Sequence, residues 1–465
     1  MRHPTAFMLW LALVLTPIAQ ARETRVPQAA VQQAVQLRER AMTDDTGWRI
    51  VESLTTEVGH RMPGTEHDAR GVAWAKAKFK ALGYDRVWTQ PVTFPLWVRR
   101  GESARVVGPS SQSLAVTALG GSPGGTIEAE VARFDSLEAL KAAPAGSQRG
   151  KIVFVDVVMP HYGVGSTIRR VGPREAIRVG ASAFVMRSAG TDWHRNPHTG
   201  MSLTPDVAGA VPSAALSNPD ADQLARLLKL DPATRLRLAL DCGFEGEYTS
   251  ENVIGEITGR TRPNEIVAIA GHLDSWDLGT GAIDDGAGIA TTMAVGALFK
   301  QMKLRPARTL RVIAFANEEQ GLIGGKVYAE SMKNDVASHV IVAESDSGGN
   351  IVESIGGQWH PDADPAMQQI AEVLAPIGIK YTPHKGGAES EMSILEEMGV
   401  AAAALNREGK RYFDIHHTPD DTLDKLDPKQ LQQSTAAYAV FTWMAANSEG
   451  DFGSGRMPKP ANAKP

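Results

Sequence analysis

The chain of 465 residues carries one cysteine, Cys242. No intrachain disulfide can form, whereas secreted eukaryotic proteins of this size usually hold several. Cys242 reads as a small buried apolar residue rather than a reactive one. Aromatic residues are sparse at 6% and charged residues stand at 22%, with a net charge of -5. There is no basic stripe for nucleic acid, no block of like charge that reads as an interaction tail and no internal repeat. Compact catalytic motifs are also missing. No HExxH helix and no GxSxG elbow occurs, and "GLIGGK" lacks the spacing and the hydroxyl residue of a phosphate loop. With 43% hydrophobic residues, what remains is an ordinary globular composition and room for two or three domains.

The first residues, "MRHPTAFMLWLALVLTPIAQARETR", combine Arg2, an apolar run from Ala6 to Leu15, and Ala19-Gln20-Ala21 as a small-x-small cleavage site. The run is too short to span a bilayer comfortably. The expectation is an export signal at residues 1–21, cleaved after Ala21, with no membrane attachment afterwards. Export without disulfides fits a secreted or periplasmic protein.

Helical spacing marks Gln28 to Met42, Thr46 to Val58 and Ala69 to Leu82, and "VWTQPVTFPLWV" alternates as a strand. Residues 113–246 differ in character. "GKIVFVDVV", "GASAFVMRS" and "AVPSAALS" are short apolar strands, Pro173 to Val179 is helical, and "NPDADQLARLLKL" is a capped helix. Few paired acids and no catalytic cluster occur there. It reads as a small α/β module inserted between residues 22–112 and 247–450 of a main domain.

After Asn252 the pattern is strand, polar cluster, helix, repeated. The strands are "EIVAIA", "TLRVIAFAN", "HVIVAE" and "GVAAAALN". The intervening helices are Ile289–Gln301, Ile323–Lys333, Pro365–Leu374 and Glu389–Met398, and a last helix opens with Asp427 as N-cap and Pro428 behind it. The fold class expected is α/β, with a mostly parallel central sheet covered on both faces. Residues 451–465 show no pattern and are expected to be disordered.

Ligands of such sheets bind beyond the carboxyl ends of the strands. There the sequence sets His272, Asp284, Glu318, Glu319 and Asp346, and the loop "YFDIHHTPDDT" adds His416 and His417. Each alone has a plain reading: adjacent glutamates favour a helix start, and paired histidines before Pro419 suit a surface turn. Together, so many acids need a cation to stay ionised. Two imidazoles among carboxylates suit zinc better than calcium or magnesium. Asp274 is expected to orient His272 through its free ring nitrogen, and Asp421 to act similarly near His417. Asp277 and Asp285 read as loop acids, and His60 with Arg61 as part of a structural turn. His194 and His198 read as surface or packing residues.

"GHLDSWDLGTGAIDDGAG", "ANEEQG", "ESDSGG" and "HHTPDDT", in this order, resemble the co-catalytic zinc exopeptidases of the aminopeptidase S type. "HLDSWD", "RSAG", "PHTG" and "ESD" resemble the carboxypeptidase Q subgroup. The resemblance implies the zinc-exopeptidase three-layer fold and identifies the insert as a protease-associated domain. It implies two zinc ions, one on His272 and Asp346, the other on Glu319 and His417, bridged by Asp284. It further implies a cis peptide from Asp284 to Asp285, Glu318 as general base, and His416 beside the tetrahedral oxyanion. Two metals ~3.5–4 Å apart would activate a shared water. The expected substrate is a dipeptide or short peptide, and a homodimer is a family property. The alternatives are an aminopeptidase on the same scaffold and, with its metals lost, a binding ectodomain.

Overall fold

In the strand Arg262–His272, Val267 and Ile269 pack into one apolar core while Ile266, Ala268 and Ala270 pack into another. A strand whose alternate residues are both buried belongs inside a sheet covered on two sides. The computed structural model, which describes residues 23–409 and 411–456, bears this out. Arg308–Phe315 lies parallel on one side of this strand and His339–Glu344 parallel on the other. Ala402–Arg407 lies parallel beyond His339–Glu344. Antiparallel strands flank this block: Val352–Gln358 at one edge and Arg235–Ile257 at the other.

Helices Gln28–Ala41, Ala287–Gln301 and Pro428–Asn447 cover one face. Ile323–Met332 and Ser390–Glu397 cover the opposite face through Tyr328, Ala329, Met392 and Leu395. The last helix starts as its sequence requires, with Asp427 accepting from the Lys429 N–H. The expected α/β class with a mostly parallel sheet therefore holds.

A second sheet sits beside the first. Gly125–Phe134, Ile152–Val155, Ala183–Arg187 and Ser213–Leu216 run parallel, and Val116–Ala118 is antiparallel at the edge. Its two faces have their own apolar cores, one around Phe154, Val185 and Leu238, the other around Val153, Phe184 and Ile168. Two long antiparallel strands, Arg86–Val107 and Arg235–Ile257, run through both sheets. Their register shifts between Pro95 and Trp97 and again between Arg99 and Gly101. Bulges of this kind bend a strand and raise its twist, which suits a passage from one sheet to the next.

Three expectations need correction or completion. The helix expected over Pro173–Val179 spans Tyr162–Arg178. Its glycines and Pro173 lower intrinsic propensity, but packing requires them: a Cβ on Gly172 would come within 2.4 Å of the Phe184 ring. Tertiary contact overrides propensity here. The strand Val352–Gln358 was hidden by its Gly356-Gly357 pair. The segment expected to be disordered from residue 451 is packed at its start. Phe452 is fully buried, the Ser454 hydroxyl donates to the Val340 carbonyl and accepts from Ala401 N–H, and Arg456 pairs with Asp451. One aromatic residue in a polar run anchors it. The expected export signal and the final nine residues lie outside the described residues. Among those described, no helix is long and apolar enough to cross a membrane.

Candidate metal centre

The parallel strands end where the sequence turns polar. His272 closes its strand, Glu318 and Glu319 follow Arg308–Phe315, and Asp346 follows His339–Glu344. Asp284 and Asp285 sit just ahead of the helix Ala287–Gln301, joined by a cis peptide. His417 reaches in from the loop after Ala402–Arg407, with a left-handed backbone at φ 60°. Asn317 and Leu322, on either side of the glutamates, are also left-handed. Such positions concentrate at functional sites.

These side chains form one cage. His272 Nε2 lies 3.0 Å from Asp284 Oδ1 and 3.2 Å from Asp346 Oδ1. His417 Nε2 lies 3.1 Å from Asp284 Oδ2 and 3.0 Å from Glu319 Oε2. Asp284 thus presents one oxygen to each imidazole. Glu319 Oε1 is buried with no hydrogen-bond partner. His272, Asp284 and Asp346 form one group with metal-ligand spacing, and Asp284, Glu319 and His417 form another.

The tautomers decide what fits between them. His272 Nδ1 lies 3.1 Å from the Asp274 carbonyl, and His417 Nδ1 lies 3.2 Å from the Thr199 carbonyl. A carbonyl only accepts, so each Nδ1 carries the proton and each neutral ring turns its Nε2 lone pair toward two carboxylate oxygens. Lone pairs facing anions repel unless a cation stands between them. Zinc bonds of roughly 2.0–2.2 Å put tetrahedral neighbours about 3.3 Å apart, close to the separations seen. The donor set fits zinc. Without metal, the carboxylates do the same work on protons. Burial alone would lower both histidine pKa values, but Asp346, Asp274 and Asp284 push His272 well above its ordinary value, and Glu319 and Asp284 do so for His417.

Glu318 stands at the cleft side of the cage. Burial raises its carboxyl well above the ordinary value, and Asp346, Glu319 and Asp284 add to this against the opposing His272. His416 is buried, with neither ring nitrogen partnered, and burial holds its pKa well below the usual imidazole value. It stacks on Tyr412 and meets Tyr162 edge-on.

The residues that brace the cage differ in part from the sequence reading. Asp274 reaches His272 through its backbone carbonyl, its carboxylate being 3.7 Å from Nδ1. That carboxylate instead accepts the backbone N–H groups of Glu318 at 3.0 Å and Glu319 at 3.2 Å. Asp421 does not hold His417. It accepts from Ile283 N–H at 2.6 Å and Asp284 N–H at 3.2 Å, fixing the bridging position, and burial raises its pKa to about 7. Asp285 is no loop acid: it is fully buried and accepts the N–H groups of His272 and Gly288. Two glycines make room for it. A Cβ on Gly271 would sit 2.5 Å from Asp285 Oδ2, and one on Gly288 would sit 1.8 Å from the Ser345 carbonyl. Asp277 pairs with Arg99. Arg61 is a structural turn residue in a demanding sense, its buried guanidinium donating to the carbonyls of Gly59, Leu273, Thr280 and Gly281.

Residues 113–246 reach the cage through "PHTG", one of the motifs that carry the resemblance. Thr199, in "PHTG", accepts from His417 Nδ1, and its own N–H donates to the His417 carbonyl at 3.0 Å. His198 is buried against Asp192, and His194 is exposed, 3.6 Å from Asp420. A cleft of about 540 Å3 opens over the cage, lined by Asp284, Glu318, Glu319, Asp346, His416 and His417 on one side. Tyr162, Arg169, Arg170 and Arg174 from the insert helix line the other. This volume lies in the usual range of roughly 300–1,000 Å3 for small-molecule sites.

Comparison with known proteins gives the family and the fold. The model of "Peptidase family M28" matches residues 252–442. Carboxypeptidase Q of Bos taurus is 31% identical over 399 residues, 85% of this chain and 84% of that protein. Carboxypeptidase Q of Homo sapiens matches at the same identity and coverage. The crystal structure of a peptidase M28 precursor from Shewanella amazonensis SB2B superposes with a TM-score of 0.89 at 42% identity, covering 93% of this chain and 99% of that one. An aminopeptidase from Aneurinibacillus sp. strain AM-1 shares the fold with a TM-score of 0.64 at 21% identity, covering 90% of this chain and 97% of that one.

Proposed function

The chain belongs to peptidase family M28 and is a metallopeptidase, and from that premise we propose that it is a di-zinc exopeptidase of the carboxypeptidase Q kind, acting on dipeptides or short peptides. The observation that carries the count of two is Asp284, whose two oxygens serve two separate histidine-carboxylate groups. His272 and Asp346 would hold one zinc, Glu319 and His417 the other, with Asp284 between. Zinc bound there supplies Lewis-acid polarisation of the scissile carbonyl and of the attacking water.

The chain's own residues do the rest. Glu318, whose backbone is fixed by Asp274, accepts the proton of the attacking water and returns it to the departing amine. His416 stays neutral, so one ring N–H can donate to the carbonyl oxygen as charge develops there. Asp421 and Asp285 keep the bridging carboxylate and His272 in place through backbone N–H groups.

The insert, residues 113–246, acts on this reading as a protease-associated domain that completes the cleft. Export through the cleaved N-terminal signal, and a homodimer, belong to the same proposal. Carboxypeptidase over aminopeptidase action is supported by sequence identity, 31% to the carboxypeptidases Q against 21% to the aminopeptidase that shares the fold. Rates on a free dipeptide, on its N-acetyl form and on its C-terminal amide test this. A carboxypeptidase keeps activity on the acetylated substrate and loses it with chelator. Loss on acetylation with activity kept on the C-terminal amide would make the enzyme an aminopeptidase, and loss on both changes would make it a strict dipeptidase.

A further inference from the structure

The charged groups lining the cleft divide by sheet. Of the carboxylates, Asp284, Glu319 and Asp346 belong to the metal cage and Glu318 is the proposed base. None is left to receive the ammonium of a substrate. The uncommitted charge is positive and comes from the insert helix Tyr162–Arg178 as Arg169, Arg170 and Arg174.

The three arginines differ in what they already hold. Arg169 is buried, donating to the Thr199 carbonyl at 3.1 Å and to the Tyr162 hydroxyl at 3.0 Å. Its Nε is buried without a partner. Arg174 donates to the carbonyls of Arg170 and Ser202, and feels Asp206 nearby. Arg170 is exposed and makes no side-chain hydrogen bond or ion pair among the described residues. Arg170 and Arg174 are four residues apart and so share one helix face. A free guanidinium with a second cation one turn away, opposite a metal cage, is suited to grip a carboxylate by paired N–H bonds.

We infer that Arg170, supported by Arg174, is the specificity determinant that binds a substrate carboxylate in the cleft, and that the insert thereby selects the substrates of the catalytic domain. The carboxylate is the free C-terminus of the peptide or an acidic side chain next to the scissile bond. This rests on the peptidase reading above, and it adds the residue that sets which end of the peptide is read.

The test uses the zinc-loaded full chain, wild type and Arg170→Gln, on three substrates: a neutral free dipeptide, its C-terminal amide, and the amide of a dipeptide ending in glutamate. Charged hydrogen bonds of this kind support a preference of about tenfold or more. Wild type should favour the free acid over the neutral amide in kcat/KM by at least that factor. Arg170→Gln should bring the ratio to within about threefold, acting mainly through KM. Arg170→Lys should recover part of the preference, keeping charge without the planar fork. If the glutamyl amide alone responds to Arg170, the carboxylate read is the side chain's. An unchanged ratio in Arg170→Gln for both acids overturns the inference even where hydrolysis is zinc-dependent. Calorimetric affinity for N-acetyl-leucine against N-acetyl-leucinamide gives a readout that needs no turnover. Arg170→Gln should erase that difference too, and an undiminished difference counts against the inference. A wild-type chain that hydrolyses none of the peptides would instead sink the peptidase reading.

Discussion

The Thr199 carbonyl accepts from His417 Nδ1 at 3.2 Å, while the Thr199 N–H donates to the His417 carbonyl at 3.0 Å. A residue beside the second sheet is thus locked, by two reciprocal bonds, to a candidate metal ligand at the end of the first. Arg169 also donates to that carbonyl, so the insert helix and the cage share one acceptor.

Arg169→Met tests this link. Partners that orient a metal-bound histidine typically account for 10–100-fold in metal affinity or activity. The variant should lose zinc to a competing chelator at about tenfold lower chelator concentration than wild type. Unchanged zinc affinity would mean that Arg169 does not support His417 through Thr199.

Glu318→Gln removes the proposed base and leaves the cage intact. Turnover should fall by roughly 10^2–10^4-fold, while metal content by mass spectrometry stays at the wild-type value. Wild-type rates in this variant would remove Glu318 from the chemistry.

Asp284→Ala deletes the side chain whose two oxygens face the two histidines, one each. Both metal positions should weaken, and the purified variant should carry less zinc than one with Glu318→Gln. Full zinc content would end the bridging role.

Asp68 gives a pH-dependent prediction away from the cage. It accepts from Gly64 N–H and the Ser250 hydroxyl, and burial raises its pKa from 3.8 to about 6. Between these values the folded chain keeps a proton that the unfolded chain releases. Folding stability from this group therefore falls as pH rises through that window and stays low above it, by roughly 2–3 kcal/mol. Asp68→Asn should gain stability relative to wild type at pH 8 compared with pH 4, read by urea unfolding. An equal difference at both pH values would contradict the raised pKa.

His272, Glu318, Glu319 and Asp346 were legible in the sequence because each closes or follows a strand that an apolar run marks. "EIVAIA" delivers His272 and "TLRVIAFAN" delivers Glu318 and Glu319. Family resemblance then supplied the pairing, which spacing alone could not. The bracing acids were misjudged because an aspartate near a histidine in sequence can use its backbone carbonyl for the ring and its carboxylate elsewhere, as Asp274 does. The part played by residues 113–246 was legible only through the resemblance of "PHTG". Arg170 and Thr199 lie in stretches with no acid cluster, and only the crossing of two long strands between sheets brings them over the cage. Phe452 shows the converse, one aromatic residue ordering a polar tail.

The central claim is a pair of metal ions sharing Asp284. Anomalous diffraction at the zinc edge from crystals of the active enzyme tests it most directly. The account predicts two peaks per chain, one beside His272 and Asp346, the other beside Glu319 and His417, each in contact with Asp284. A single peak, or none among these side chains in an enzyme that still cleaves peptides, would contradict it.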